Sequence, residues 1–134
     1  MTEVFADSYY FFAILNPRDD AHSAAIALSA EQSCTLVTTT PILLEVADGL
    51  SHTRHRNSAA KLLRKFGSGS HNVVIHPSSE LFEDGVCLYE RMQDKDWSLT
   101  DCISIVVMQK RGIRAAWTGD KHFRQAGFDT LAPT

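Results

Sequence analysis

The sequence predicts an α/β fold: a short parallel sheet of four to five strands flanked by helices on both faces. Three observations carry this. Short apolar runs alternate with longer helical patterns along the whole chain, and strand–helix–strand order means parallel strands joined by right-handed crossovers. The strand-like runs are continuously apolar rather than alternating, as expected where helices cover both sheet faces. The 134 residues, 44% apolar and 22% charged, suit a single domain over 1–134 with a core of its own.

Each element has a local reason. Val4-Phe5-Ala6 reads as the first strand, and Tyr9 to Leu15 as a short helix. Asn16-Pro17-Arg18-Asp19-Asp20 is made of turn formers. The alanine-rich stretch from His22 to Ala30 is helical. Thr35-Leu36-Val37-Thr38 is the second strand. Thr39 or Thr40 then caps a helix that has Pro41 at its first position and runs to about Leu50. Ser58 to Phe66 is a further helix, and Gly67-Ser68-Gly69-Ser70 is a loop within the domain. Asn72 to His76 is the third strand, stopped by Pro77. Ser79 to about Asp94 is a long helix. Ser98 or Thr100 caps the helix Asp101 to Arg111, which Gly112 ends. Arg114 to Thr118 is the fourth strand, Lys121 to Ala126 a short helix, and Asp129-Thr130-Leu131 an edge strand.

Composition narrows the functional classes. No run approaches the ~20 apolar residues of a membrane span. Met1-Thr2-Glu3-Val4 lacks a basic segment leading into an apolar stretch, so no secretion signal is expected. Cys34, Cys87 and Cys102 are odd in number and far apart, with no C-x-x-C. Cys102 within an apolar run and Cys34 beside one read as reduced core residues of a cytoplasmic protein. Net charge is −3, yet residues 49–79 hold Arg54, Arg56, Lys61, Arg64 and Lys65 and no acid. That segment carries +5 and the remainder −8, which suits either a polyanion-facing surface or a solvated helix face. His52-x-x-His55 has near-helical spacing but no third ligand. A phospho-acceptor receiver domain would need an acid after the third strand, where His76-Pro77 stands. A nucleophilic hydrolase would need a G-x-S-x-G elbow, and there is none.

Four acids stand where solvation alone would not put them. Asp7 follows the first strand and Asp120 the fourth, so two strands aim a carboxylate at the same sheet edge. In open parallel sheets the functional crevice lies at that edge, where strand order reverses. Glu45 is the only charge in Pro41-Ile42-Leu43-Leu44-Glu45-Val46-Ala47, and Gly49 rather than a cation follows it one turn later. Asp101 opens a helix that is apolar nearly all round, hence buried. Two unit charges ~4 Å apart interact by roughly 4 kcal/mol at an effective dielectric near 20. Converging carboxylates therefore need a cation among them. Oxygen-only donors without calcium-loop spacing suit Mg²⁺ or Mn²⁺. A carboxylate-held cation beside a basic segment is the arrangement of a phosphodiester-cleaving site.

The whole chain resembles a PIN domain, and within that family the VapC-type toxins of prokaryotic toxin–antitoxin pairs. The resemblance is carried by Val4-Phe5-Ala6-Asp7-Ser8, Ala13-Ile14-Leu15-Asn16-Pro17-Arg18-Asp19 and Thr38 to Glu45. It continues in Ser98-Leu99-Thr100-Asp101, Thr118-Gly119-Asp120-Lys121-His122-Phe123 and Ala126-Gly127-Phe128. The 19-residue step from Asp101 to Asp120 also matches. It implies a PIN-like fold with Asp7, Glu45, Asp101 and Asp120 as a catalytic quartet. It also implies Mg²⁺- or Mn²⁺-dependent endoribonuclease activity, a homodimer, and a small antitoxin that blocks the site. On that basis Asp7, Asp101 and Asp120 bind metal, the last directly or through water. Glu45 orients water or completes the shell, and Ser8 and Thr118 support. Arg54, Arg56, Lys61, Arg64 and Lys65 would meet RNA. Tyr9 departs from the pattern, standing where the family carries a small polar residue. Two alternatives remain open: an inactive PIN-fold interaction module, and a housekeeping RNA-processing nuclease.

Overall fold

The computed structural model describes residues 2–68 and 71–131. Gly69 and Ser70, half of the expected glycine–serine loop, lie outside the described residues. Strands β1 (Thr2–Ala6), β2 (Cys34–Thr39), β3 (Val73–Ile75), β4 (Ala115–Trp117) and β5 (Asp129–Thr130) form one sheet in the order β3-β2-β1-β4-β5. Every pairing is parallel. The chain starts at the centre, steps outward through β2 and β3, then crosses back to β4 and β5. Strand order therefore reverses between β1 and β4, and a crevice opens beyond their carboxyl ends.

Seven helices connect the strands among the described residues: α1 (Ser8–Leu15), α2 (His22–Ser29), α3 (Thr40–Gly49), α4 (Arg56–Lys65), α5 (Ser79–Arg91), α6 (Leu99–Arg111) and α7 (Lys121–Gln125). The steps to β2 and β3 run one way along the sheet, and those to β4 and β5 the other. With right-handed crossovers, α1–α4 fall on one face and α5–α7 on the opposite one. Packing agrees: α1 meets α2 and α3, α3 meets α4, α5 meets α6, and α6 meets α7.

Local chemistry sets the boundaries. Thr39 caps α3, its Oγ1 accepting from Ile42 N–H at 3.3 Å, with Pro41 in the first turn. Ser98 caps α6, so that helix starts two residues before the expected Asp101. Ser98 Oγ accepts from Asp101 N–H, and Asp101 Oδ2 accepts from Ser98 N–H, each at 3.0 Å, which closes a reciprocal capping box. Gly112 ends α6 with φ +69°, a left-handed conformation that favours glycine. β3 is shorter than the expected Asn72–His76. The Asn72 side chain accepts from Leu36 N–H at 3.1 Å, a contact to β2 outside the strand ladder. α4 begins at Arg56 rather than Ser58, and α5 ends at Arg91 rather than near Asp94.

Asp101 to Met108 are all buried, so α6 is the helix that most of the core closes around. Cys34 and Cys102 are buried and unbridged, while Cys87 is exposed. Gly85 of α5 permits the α5–α6 approach, because a Cβ there would stand 2.6 Å from Ile103 Cγ1. Gly85→Val should destabilise the protein by about 1–3 kcal/mol through overpacking. The urea unfolding midpoint measures this, and an unchanged midpoint would mean that the two helices separate freely.

Candidate active site

Asp7 directly follows β1 and occupies the N-cap position of α1, yet its side chain makes no capping bond. Its Oδ2 accepts instead from Thr118 Oγ1 at 2.7 Å. Thr118 directly follows β4, so this bond ties together the carboxyl ends of two adjacent strands. The same hydroxyl oxygen accepts from Asp120 N–H at 2.9 Å. Asp120 caps α7, its Oδ1 accepting from His122 N–H at 3.0 Å. The His122 ring then reaches back to α6. Nδ1 lies 2.8 Å from Asp101 Oδ2 and 3.1 Å from Asp120 Oδ2. With both carboxylates ionised, Nδ1 carries the proton, since both partners can only accept. On the other side, Ser8 Oγ donates to Glu45 Oε1 of α3 at 2.8 Å.

The electrostatics follow from that placement. Asp7 is 5% exposed and Asp101 8%, while Glu45 is exposed. Burial pushes the Asp7 carboxyl up from 3.8 to about 6. Hydrogen bonds from Thr118 and from the Ser8 backbone oppose that rise, and the charges of Asp101 and Glu45 add to it. Asp7 thus feels two of the other three acids, and Thr118 joins it to the third.

Ligand atoms of Asp101, Asp120 and His122 lie within 4.8 Å of one another. The expected metal set was Asp7, Asp101 and Asp120. In the compact trio His122 stands in place of Asp7, whose Oδ2 is engaged by Thr118. His122 was not among the expected site residues. It stands two residues past Asp120, in the first turn of the helix that Asp120 caps, a position that does not by itself reveal its partner Asp101. The carboxylate oxygens of Asp101 and Asp120 suit a hard divalent cation, which prefers oxygen donors, while His122, with its Nδ1 protonated, holds these two acids rather than the ion. The five basic residues expected at RNA, Arg54, Arg56, Lys61, Arg64 and Lys65, are all exposed on α4 and the turn before it. That helix packs on α3, which carries Glu45.

Residues 4–129 match the PIN domain. The chain belongs to the PIN-domain family. This PIN domain is 28% identical over 131 residues to the 23S rRNA-specific endonuclease VapC20 of Mycobacterium tuberculosis, covering 97% of the chain and 98% of the relative. It matches the crystal structure of Mycobacterium tuberculosis VapC20, described as a sarcin–ricin loop cleaving toxin. The TM-score is 0.85 at 26% identity, with 97% of this chain and 99% of that one covered. VapBC2 from Rickettsia felis, bound to a fragment of its promoter, shares the fold at TM-score 0.69 and 14% identity, over 97% of this chain and 98% of that one. FitAcB from Neisseria gonorrhoeae does so at 0.64 and 13%, over 96% of each chain.

A carboxyl whose folded value lies above its unfolded value opposes folding once it is ionised. In metal-free protein, Asp7→Asn should therefore raise stability at pH 8 by up to about 3 kcal/mol. The gain should shrink as pH falls through about 6 and vanish near 3.8, the ordinary carboxyl value. Urea titrations in chelator at several pH values test this. A gain independent of pH would place its origin outside Asp7 ionisation.

Proposed function

We propose that this protein is a divalent-metal-dependent endoribonuclease and the toxin of a toxin–antitoxin pair. The single observation that carries the reading is convergence. Asp7, Glu45, Asp101 and Asp120, drawn from β1, α3, α6 and the end of β4, are joined at the strand crossover through Ser8, Thr118 and His122. The similarity to VapC20 supports RNA as the substrate and ribosomal RNA as its first candidate.

Asp7, Asp101 and Asp120 would hold Mg²⁺ or Mn²⁺, with His122 against the latter two. When bound, the ion supplies a polarised water and a counter-charge for the scissile phosphate. The chain's own groups do the rest. Glu45, held by the Ser8 hydroxyl, orients the attacking water and takes its proton. Thr118 fixes Asp7 by its Oδ2. His122 keeps Asp101 and Asp120 together against their mutual repulsion. The basic residues on α4 hold the flanking phosphates.

A small antitoxin partner is supported by VapBC2 and FitAcB among the solved relatives. An apolar groove of about 450 Å³ beside Leu43, Leu44, Ala47, Leu63, Phe66 and Val74 offers it a seat. Leu44 is 63% exposed there, next in sequence to Glu45. The active form is a homodimer in the cytoplasm.

Expression of the wild type should arrest growth and leave discrete new RNA ends, whereas Asp101→Asn should do neither. Sequencing of the RNA ends reads the outcome, and equal arrest by both forms would remove catalysis from the account. Neutralising Arg54, Arg56 and Arg64 together should lower the log–log salt slope of RNA binding by about 2, at ~0.7 per lost phosphate contact on single strands. An unchanged slope would return those residues to an ordinary solvated helix face.

A further inference from the structure

Tyr9 lies two residues past Asp7, in the first turn of α1, and its ring leans on the loop that carries Thr118 and Asp120. A Cβ on Gly119 would stand 2.5 Å from Tyr9 Cε2 and 2.6 Å from Cζ, so the loop passes the ring at a distance only glycine allows. The Trp117 ring packs beside it, centroids 5.9 Å apart and planes at 44°. Two neighbours thus fix the ring at the rim of the acidic crevice. It nevertheless stays 36% exposed. Tyr10, the next residue, is 3% exposed and turned inward onto Phe11 and Trp117. Covering Trp117 and Gly119 requires only apolar bulk, which any large aliphatic side chain supplies. A held ring with open surface beside a phosphodiester site offers something more: a flat π face for a base.

We propose that Tyr9 is a stacking platform for the nucleobase next to the scissile phosphate, and so a specificity-determining residue. This rests on the ribonuclease reading above. Stacking tolerates every base but requires one to be there, and it needs a substrate whose bases are splayed out of a duplex. Tyr9 would therefore favour cleavage at unpaired nucleotides.

The test uses a short RNA spanning a cut site mapped on total RNA, and the same RNA made abasic at the nucleotide on either side of the cut. Tyr9→Phe keeps the ring, whereas Tyr9→Leu keeps the bulk against Gly119 and Trp117 and removes the π face. Should Tyr9→Leu melt early, Tyr9→Met takes its place. Tyr9→Phe should behave as wild type. Tyr9→Leu should raise KM on the order of 10-fold with kcat little changed. One of the abasic RNAs should bring wild type to the level of Tyr9→Leu and leave the variant unaffected. Equal KM for wild type and Tyr9→Leu overturns the proposal. So does an abasic penalty of the same size in both, or a fall in kcat alone, which would mark Tyr9 as a prop for the Asp120 loop. A folded wild type that cuts no RNA sinks the ribonuclease reading itself, and the two failures are thus told apart.

Discussion

The hydrogen bond from Thr118 to the buried Asp7 carboxylate is the constraint on which the crevice depends. β1 and β4 are neighbours in the sheet, but their connections leave in opposite directions, so nothing in the backbone ladder covers the gap beyond their ends. The Thr118 hydroxyl spans it at 2.7 Å. Its oxygen also accepts the Asp120 backbone N–H, so one side chain sets the positions of two acids from different elements. The sequence continues through Asp120 to His122 and from His122 to Asp101. A run of polar contacts thereby joins β1, β4, α7 and α6. Bonds to ionised groups are shorter and stronger than neutral ones, which suits them to holding like charges at close quarters.

Two of these acids are also structural. Asp101 closes the capping box of α6 through the same Oδ2 that faces His122, and Asp120 caps α7 with its Oδ1. A helix N-terminus favours negative charge by ~0.3–1 kcal/mol each, which offsets part of the repulsion among the carboxylates. Asp7 also stands at a helix N-terminus, that of α1, but its side chain makes no capping bond and burial outweighs the help. Burial pushes its carboxyl up, to about 6.

Much of this was legible from residues alone, because the signals were local. Thr39 or Thr40 before Pro41, Ser98 or Thr100 before the buried helix, and Gly112 after Arg111 announce helix ends through caps that need no tertiary contact, and the structure uses Thr39 and Ser98. Asp7 stands directly after β1 and Asp120 three residues past β4, so parallel topology was enough to bring them to one edge. His122 was not legible, because its partner Asp101 belongs to a different helix and only the packing of α7 on α6 brings them together. Tyr9 appeared only as a departure from the family pattern, bearing on the hydrogen bonds around the metal site. Its meaning depends on Gly119, 110 residues away, and on the turn that brings the loop beneath the ring. The bond that the Asn72 side chain accepts from Leu36 N–H escaped for a similar reason, since it joins residues 36 positions apart.

The partners in the Asp7–Thr118 bond are separated by 111 positions. β1 stays open along its β4 edge until β2, β3 and the helices α1 to α6 have all been made. A growing chain therefore holds Asp7, Glu45 and even Asp101 without the hydroxyl that organises them. For an enzyme that attacks RNA, this ordering delays competence until Thr118 and Asp120 have joined the folded strands.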